Sequence, residues 1–382
     1  MKIVADENIP LLSRFFCEFG EVVQLPGRAI TARDVKDADI LIVRSVTQVN
    51  DTLLDQSNVK FVGSCTIGMD HIDTAYLEER GIKYANAPGS NANSVVEYVI
   101  SCLSILTETH GFDWDTLTVG IMGYGNVGSL LGKRLKKLGI GFKAYDPFLD
   151  PALVEDQVLV SQDEVLACDI VTLHVPLTKD GAHPTYHMID QAMLQGFHES
   201  QVLINAGRGA VIDNKQLNEF IKRNRGFTAI LDVWENEPAI DSELMNNVFL
   251  GTPHIAGYSY DGKVAGTEMI YRSLCQFLGF PSRHTSGQFL EEPPLSRMAF
   301  TSMADVDWSI HTAIRACFDV RHDHSLLRAS MRLASPEREA AFDAFRKGYR
   351  CRREFSGVKI QLKQADSELH TKFKALGFNV KS

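Results

Sequence analysis

Short apolar runs alternate with amphipathic segments along residues 1–92. The runs predict strands at residues 2–5, 21–25, 39–43, 60–63 and 82–86. The segments between them, such as residues 9–19 and 73–80, have helical or turn-rich patterns. Strands that alternate with helices form a parallel sheet covered by helices, so this stretch predicts an α/β domain.

Two long helical patterns, at residues 93–110 and 257–279, flank a second series of strand patterns. Beyond residue 146 these strands are expected at residues 169–175, 202–206, 228–233 and 248–251. A long helix can connect two sheets. We therefore predict two doubly wound, Rossmann-like domains with a cleft between them: residues 1–92 with 257–285, and residues 93–256.

The last 90 or so residues follow a linker-like Glu-Glu-Pro-Pro segment at 291–294. Ser335, followed by proline, suits the N-cap of a helix through residue 345. Residues 358–362 alternate as a strand, and residues 369–376 form a helical stripe that ends at a glycine. The pattern predicts a third, small α/β domain at residues 290–382.

A glycine-rich turn lies between a strand pattern and a helical pattern at residues 118–138. Its sequence is Gly123-Tyr124-Gly125-Asn126-Val127-Gly128. In this context Gly123 allows a tight turn, Gly125 admits a pyrophosphate to the backbone, and Gly128 lets helix and strand pack closely. The N–H groups that begin the helix favour phosphate. A glycine-rich turn in an ordinary α/β sheet is the alternative, but the flanking strand and helix favour a dinucleotide site.

Asp146 ends the next strand pattern, about 20 positions after the glycine turn. A carboxylate there accepts hydrogen bonds from a ribose diol and repels a 2′-phosphate. The sequence therefore predicts NAD rather than NADP as cofactor. Residues 1–92 contain no comparable glycine triplet, so the first domain is predicted to hold no nucleotide.

Composition narrows the class of protein. Hydrophobic residues make up 45% and charged residues 23%, as in soluble globular proteins, and the net charge of −9 does not favour nucleic acid. The seven cysteines are scattered without a Cys-x-x-Cys pair, which argues against a zinc site or a disulfide framework. With no signal-peptide pattern and no membrane span, we expect a cytoplasmic protein.

Three residues at predicted strand ends have the chemistry of a hydride-transfer site: Arg208, Glu237 and His254. A histidine can remove the hydroxyl proton of a 2-hydroxy acid, and a carboxylate can orient its ring. An arginine can hold the substrate carboxylate in a fork. Each residue alone is more often structural; their joint position behind a dinucleotide motif favours catalysis.

The chain resembles the D-isomer-specific 2-hydroxyacid dehydrogenase family over roughly residues 1–280. The resemblance rests on the glycine turn at 123–128 and on His-Val-Pro-Leu-Thr (174–178), Ile-Asn-Ala-Gly-Arg-Gly (204–209), Leu-Asp-Val-Trp-Glu-Asn-Glu-Pro (231–238) and Thr-Pro-His-Ile-Ala-Gly (252–257). It implies that Arg208, Glu237 and His254 are catalytic. The cofactor residues that it implies are Gly123, Gly125, Asn126, Val127, Gly128, Asp146, His174, Val175, Ala206, Gly207, Arg208, Asp232 and Gly257.

Further segments, at residues 43–47, 64–73, 88–98 and 254–259, resemble one branch of this family. That branch oxidises a phosphorylated 2-hydroxy acid and forms homodimers through a C-terminal domain. By this resemblance Ser45, Thr66 and Tyr258 contact the substrate; turn capping is the alternative for the first two.

A basic cluster, consisting of Arg346, Lys347, Arg350, Arg352 and Arg353, lies late in this acidic chain. It is either a solvated helix end or, in a dimer, a binding surface for the substrate phosphate in the partner's cleft.

Two alternatives to the main functional interpretation stay open. One is a dehydrogenase of another D-2-hydroxy acid, such as 3-phosphoglycerate or lactate, and the other is an NAD-sensing binding protein on the same fold.

Overall fold

A computed structural model describes residues 1–154, 157–363 and 367–381 of the chain. Residues 155–156 of the predicted second domain, and residues 364–366 and 382 of the predicted third, lie outside the described residues. The chain divides into two compact units. Unit 1 comprises Met1–Asn93 and Tyr258–Glu292, and unit 2 comprises Ser94–Gly257 and Pro293–Ser382.

Unit 1 contains a five-stranded parallel sheet in the order β2-β1-β3-β4-β5. Its strands are β1 (Lys2–Asp6), β2 (Glu21–Leu25), β3 (Ile40–Val43), β4 (Phe61–Ser64) and β5 (Lys83–Ala85). Its helices are α1 (Leu12–Phe16), α2 (Ala32–Val35), α3 (Asp51–Leu54), α4 (Thr74–Glu79) and α11 (Tyr260–Leu278). Every residue of β3 and β4 is buried, as expected for strands covered on both faces.

Unit 2 contains a six-stranded parallel sheet in the order β11-β10-β9-β8-β6-β7. Its strands are β6 (Thr118–Met122), β7 (Gly141–Tyr145), β8 (Ile170–Leu173), β9 (Val202–Asn205), β10 (Thr228–Leu231) and β11 (Leu250–Gly251). Ala144 of β7 also forms a parallel bridge with Leu159. With this bridge counted as a short outer strand, the order is that of a dinucleotide-binding sheet, whose ligand lies at the carboxyl ends of the strands. The predicted α/β fold class with parallel sheets is confirmed.

Helices surround this sheet and continue into the C-terminal residues. They are α5 (Ala92–His110), α6 (Asn126–Leu138), α7 (Gln162–Leu166), α8 (Gln191–Leu194), α9 (Asn214–Arg223), α10 (Ser242–Asn247), α12 (Val306–Cys317), α13 (Val320–Ser330), α14 (Ser335–Lys347) and α15 (Ser367–Leu376). A third sheet, also parallel, has the order β12-β13-β14 and contains β12 (Arg297–Thr301), β13 (Lys359–Lys363) and β14 (Asn379–Lys381).

The prediction of Ser335 as the N-cap of α14 is wrong by one residue. Ala334 holds that position without a side-chain bond, and the Ser335 hydroxyl donates to Glu339.

A row of polar side chains on α5 contacts the C-terminal residues. Ser94 donates to Glu354, Glu97 accepts the N–H of Phe355, Ser101 donates to the Phe318 carbonyl, Ser104 bonds His311, and Glu108 pairs with Arg315 and Arg321. The spacing of three or four residues keeps all five on one helix face. The first four of these side chains are buried. We call this row the α5 polar stripe; it explains why residues 293–382 belong to the same compact unit as residues 94–257.

Among the described residues, no helix combines the length and the apolar character that crossing a membrane requires.

Candidate active site

His254 and Glu237 are brought together by two neighbouring strands. β10 and β11 pair side by side, with Leu231 opposite Gly251, so the loops that follow them meet at one edge of the sheet. The Nδ1 atom of His254 lies 2.7 Å from Oε2 of Glu237. Oε1 of the same carboxylate accepts the N–H of Trp234 at 2.8 Å. A ring that donates from Nδ1 to a carboxylate leaves Nε2 as the proton acceptor, which is the arrangement of a general base with its orienting partner.

The charge state of Glu237 suits this role. Burial raises the pKa of the carboxyl. The positive charge and hydrogen bond of His254, the Trp234 N–H and the positive charge of Arg346 outweigh burial, and they hold the pKa of Glu237 below its usual value. Glu237 is therefore ionised at neutral pH and available to stabilise a protonated imidazole.

The backbone at His254 is held in an unusual conformation. Its φ of 56° lies in the left-handed region, which few residues other than glycine adopt and which clusters at functional sites. Asp232 fixes this conformation: its carbonyl accepts the N–H of His254 at 2.7 Å, and its carboxylate accepts the N–H groups of Ile255 at 2.8 Å and Ala256 at 2.9 Å. The carboxylate also accepts the Thr252 hydroxyl at 2.6 Å.

Burial raises the pKa of Asp232, and the charge of His254 together with these hydrogen bonds opposes that rise. The sequence predicted Asp232 only as a cofactor ligand, and that role stays a prediction. Its bonds to the His254 loop were missed, because backbone hydrogen bonds leave no residue-type signal.

Arg208 follows β9, the strand beside β10. Asn205, the last residue of that strand, shapes the turn: its side chain accepts the N–H of Gly207 at 3.1 Å and donates to the Arg208 carbonyl at 3.0 Å. Arg208, Glu237 and His254 thus follow three consecutive strands of one sheet, at the edge where ligands bind in this fold. Their catalytic roles are taken up below as part of the proposed function.

The glycine turn has the shape that a dinucleotide needs. A Cβ on Gly123, whose φ is 88°, would lie 2.9 Å from the His174 backbone, and one on Gly128 would lie 2.0 Å from the Gly123 carbonyl oxygen. Protein packing therefore accounts for these two glycines. A Cβ on Gly125 meets nothing within 4 Å. The open space over Gly125, at the start of α6, is where the backbone can receive a pyrophosphate.

Asp146 lies at the same turn. Its carboxylate accepts the Tyr124 N–H at 2.9 Å and the Phe148 N–H at 3.1 Å, which places it beside the glycine loop at the end of β7. Three observations fit NAD: the open Gly125, the N-terminus of α6 at Asn126 and Val127, and the half-buried Asp146. When bound, NAD supplies the acceptor for a hydride.

His174 and Val175 follow β8 and face the glycine turn. The His174 N–H donates to the Met122 carbonyl at 2.8 Å, and its Nε2 lies 3.0 Å from the Thr172 hydroxyl. Burial lowers the pKa of His174 to about 4, so the ring is neutral at physiological pH. Gly207 approaches the same strand end, since its Cβ would lie 3.2 Å from the Val175 carbonyl oxygen. Of the other predicted cofactor residues, Ala206 precedes this glycine and Gly257 ends the loop that carries His254, both half-buried.

The predicted substrate residues lie in unit 1. Ser45 is exposed after β3, and Thr66 is half-buried after the neighbouring β4. The Thr66 hydroxyl lies 2.9 Å from that of Ser64, which in turn lies 3.1 Å from Nε2 of His71. Tyr258 carries the ammonium of Lys263 over its ring, 4.4 Å from the centroid. The sequence missed the Ser64–His71 support of Thr66, although His71 is part of the segment that carried the resemblance.

The basic cluster is not uniformly solvated. Arg350 is exposed and forms an ion pair with Asp323 at 3.0 Å. The Arg352 side chain, in contrast, is only 1% exposed. The solvated-helix-end interpretation is therefore wrong for Arg352. Arg346 lies near enough to the active-site pair for its charge to lower the pKa of Glu237.

Comparison with known proteins agrees with this site. Residues 104–256 match the family model "D-isomer specific 2-hydroxyacid dehydrogenase, NAD binding domain", which is the class that the fold and site define. Over its full length the chain is 52% identical to erythronate-4-phosphate dehydrogenase of Hahella chejuensis and 51% identical to that of Marinobacter nauticus, covering 100% of each. The chain belongs to the erythronate-4-phosphate dehydrogenase family.

Solved structures show the same fold at lower identity. D-lactate dehydrogenase of Aquifex aeolicus, complexed with NAD and lactic acid, is 22% identical with a TM-score of 0.58, over 73% of this chain and 96% of that one. Cofactor-bound 3-phosphoglycerate dehydrogenase of Entamoeba histolytica is 24% identical with a TM-score of 0.62, over 73% and 95%. Residues 289–377 match a separate family model, "Domain of unknown function (DUF3410)".

Proposed function

We propose that this chain catalyses the NAD-dependent oxidation of 4-phospho-D-erythronate at C2. The product is (R)-3-hydroxy-2-oxo-4-phosphooxybutanoate, an intermediate of pyridoxal 5′-phosphate (vitamin B6) biosynthesis. The observation that carries the proposal is the 2.7 Å pair of His254 and Glu237, within a chain that is 52% identical over its whole length to an erythronate-4-phosphate dehydrogenase. The proposed setting is the cytoplasm.

In this reaction Nε2 of His254 accepts the proton of the C2 hydroxyl, and NAD, when bound, would supply the acceptor for the hydride of C2. Glu237 holds the ring through Nδ1 and stabilises the positive charge that develops on it. Arg208 binds the substrate carboxylate and polarises the new carbonyl. Ser45, Thr66 and Tyr258 are the proposed substrate contacts.

The proposed cofactor contacts follow the sequence prediction. Gly125 and the first N–H groups of α6 receive the pyrophosphate, Asp146 the adenosine ribose and Asp232 the carboxamide. We retain residues 1–92 with 257–285, residues 93–256 and residues 290–382 as the proposed substrate, NAD-binding and dimerisation domains.

We also propose a homodimer formed through the C-terminal domain. Among the described residues of this region, Met303 and Trp308 are the large apolar side chains with the greatest exposure in the single chain, at 90% and 57%. A subunit contact that buries them removes apolar area from water. Light scattering of the purified protein tests the proposal, and a monomeric mass at micromolar concentration would contradict it.

The experiment that tests the activity follows reduced nicotinamide by its absorbance. Purified protein and NAD are mixed with 4-phospho-D-erythronate, D-3-phosphoglycerate or D-lactate in parallel, each with and without a 2-oxo acid that can reoxidise a retained cofactor. Reoxidation removes the absorbance signal in the arms with the 2-oxo acid, so turnover there is measured as the oxidised product of the tested acid by chromatography. We expect turnover with 4-phospho-D-erythronate alone. Preferential turnover of either other acid would assign the chain a different substrate. Nucleotide binding without turnover of any acid would support an NAD-sensing protein instead.

A further inference from the structure

Arg352 connects the C-terminal residues to the loop that carries His254. Its Nη1 donates to the Ala256 carbonyl at 3.1 Å, and its Nη2 donates to the Ser94 carbonyl of α5 at 2.5 Å. The guanidinium carbon lies 3.7 Å from the centroid of the Phe318 ring. One side chain therefore joins three parts of unit 2: the helix α5, the segment after α12 and the His254 loop.

Ala256 is held from both sides. Its N–H donates to the Asp232 carboxylate at 2.9 Å, and its carbonyl accepts from Arg352. The same carboxylate accepts the N–H of Ile255, while the Asp232 carbonyl accepts the N–H of His254. The Arg352 contact thus lies two residues from the strained backbone of the proposed general base and continues the bonding that fixes it.

The burial of Arg352 needs an explanation beyond packing. The neighbouring carboxylate of Glu97 is 4.0 Å from Nη2, and burial together with the charge of Glu354 raises the pKa of Glu97 well above its usual value, against the opposing charge of Arg352. A buried guanidinium gains little from a neighbouring carboxyl whose pKa is raised in this way. Its burial therefore costs more free energy than that of an apolar residue filling the same space. What an apolar residue cannot do is bridge two backbone carbonyls with a planar fork.

We propose that Arg352 is a positioning residue for the reaction: through the Ala256 carbonyl it holds the loop of residues 252–257 in the conformation that aims His254 at the substrate. The proposal rests on the function proposed above. It gives the C-terminal part of the chain a role in catalysis within its own subunit, distinct from dimerisation.

The test uses the full-length protein with Arg352→Lys and Arg352→Gln. Lysine keeps the charge and one donor direction but loses the fork, and glutamine keeps neither charge nor fork. Displacement of a catalytic group by a fraction of an ångström to one ångström lowers turnover strongly, so we expect kcat per NADH-binding site to fall on the order of tenfold or more in the glutamine variant, with a smaller loss in the lysine variant. The KM for the acid should change less than kcat.

Arg315→Gln is the matched control. Arg315 also joins the C-terminal residues to α5, through Glu108 at the far end of the α5 polar stripe, and it makes no described contact with residues 252–257. Its kcat should stay within about twofold of wild type, because a partly exposed ion pair contributes little. A fluorescence titration with NADH counts the binding sites in each variant. A loss of folded protein lowers the number of these sites, whereas a loss of His254 positioning lowers kcat at each site.

Hydrogen–deuterium exchange provides a readout that does not depend on turnover. The peptide that contains residues 252–257 should exchange at least several-fold faster in both Arg352 variants than in wild type and Arg315→Gln. If the wild-type enzyme fails to oxidise the acid, the proposed function fails, and exchange still decides whether Arg352 holds the loop. Wild-type kcat and wild-type exchange in Arg352→Gln would overturn the inference.

Discussion

Glu237 and Glu235 each bind a histidine, although they are only two residues apart. Oε2 of Glu237 lies 2.7 Å from Nδ1 of His254, and Oε1 of Glu235 lies 2.7 Å from Nε2 of His187. Glu235 also accepts the N–H of Asn214 at 2.9 Å, as a structural carboxylate does, and the sequence predicts catalysis only for the Glu237–His254 pair. The two carboxylates therefore have the same chemistry and different predicted consequences.

The first prediction contrasts Glu237→Gln with Glu235→Gln. Glutamine keeps the size of the side chain and removes the charge that stabilises a protonated His254, so Glu237→Gln should lower kcat by roughly a hundredfold or more, comparable to the loss expected for His254→Ala. Glu235→Gln should leave kcat within about threefold of wild type. Steady-state kinetics of both variants decides this, and equal losses would contradict the role of Glu237.

The second prediction separates two glycines of one turn. A Cβ at Gly125 meets open space, whereas one at Gly128 would lie 2.0 Å from the Gly123 carbonyl oxygen. Gly125→Ala should therefore melt near the wild-type temperature but bind NADH at least tenfold more weakly, since the methyl group occupies the path of the pyrophosphate. Gly128→Ala should melt at a clearly lower temperature. Thermal melts and fluorescence titrations provide both measurements; normal NADH affinity in Gly125→Ala would argue against the cofactor pose.

The third prediction concerns the choice between NAD and NADP. Asp146→Asn keeps an oxygen that can accept the Tyr124 N–H and removes the charge that repels a 2′-phosphate. We expect the ratio of kcat/KM for NADP to that for NAD to rise at least tenfold. Asp150→Asn, at an exposed carboxylate that caps the next turn, is the control and should leave the ratio unchanged.

The fourth prediction is a pH dependence of stability. Burial lowers the pKa of His174 from 6.5 to about 4. Between pH 4 and pH 6.5, therefore, this residue is protonated in the unfolded chain and neutral in the folded chain. The free energy of unfolding should consequently be highest above pH 6.5 and fall as the pH drops toward 4, by no more than about 1.4 kcal/mol per pH unit from this residue.

Urea unfolding of wild type and His174→Asn across this range tests that slope. Asparagine can retain a hydrogen bond to Thr172 but does not titrate, so the variant should lose less stability on acidification. Because the ring is half-buried rather than sealed, we expect the difference between the two proteins to be roughly 1–2 kcal/mol at pH 4.5. Parallel curves for the two proteins would contradict the assignment.

The sheets could be predicted because their strands are apolar runs with polar ends. The run at residues 21–25 coincides with β2, and the pattern at 93–110 differs from α5 by one residue. The strands of residues 293–382 were harder to predict from the sequence. The strands β12 and β14 face solvent on one side and contain one buried residue between them, Phe300, so their pattern is weak.

Within the site, residue types indicated His254, Glu237 and the glycine turn. They could not indicate Asp232 as the anchor of the His254 loop or Arg352 as its neighbour. Those roles depend on backbone groups, which every residue has, and on a contact between positions 96 residues apart in the chain.

The α5 polar stripe has a consequence for how the third sheet came to share a unit with the dinucleotide domain. Serine and glutamate side chains are readily hydrated. A chain that ended before residue 293 would therefore expose a polar stripe on this helix rather than an apolar patch that promotes association. Attachment of the C-terminal residues consequently depends in good part on directional bonds, which fix one orientation of the added segment. A segment held in a single orientation can place one side chain, such as Arg352, against one particular carbonyl. Apolar contacts alone are not directional and would allow the segment more than one orientation.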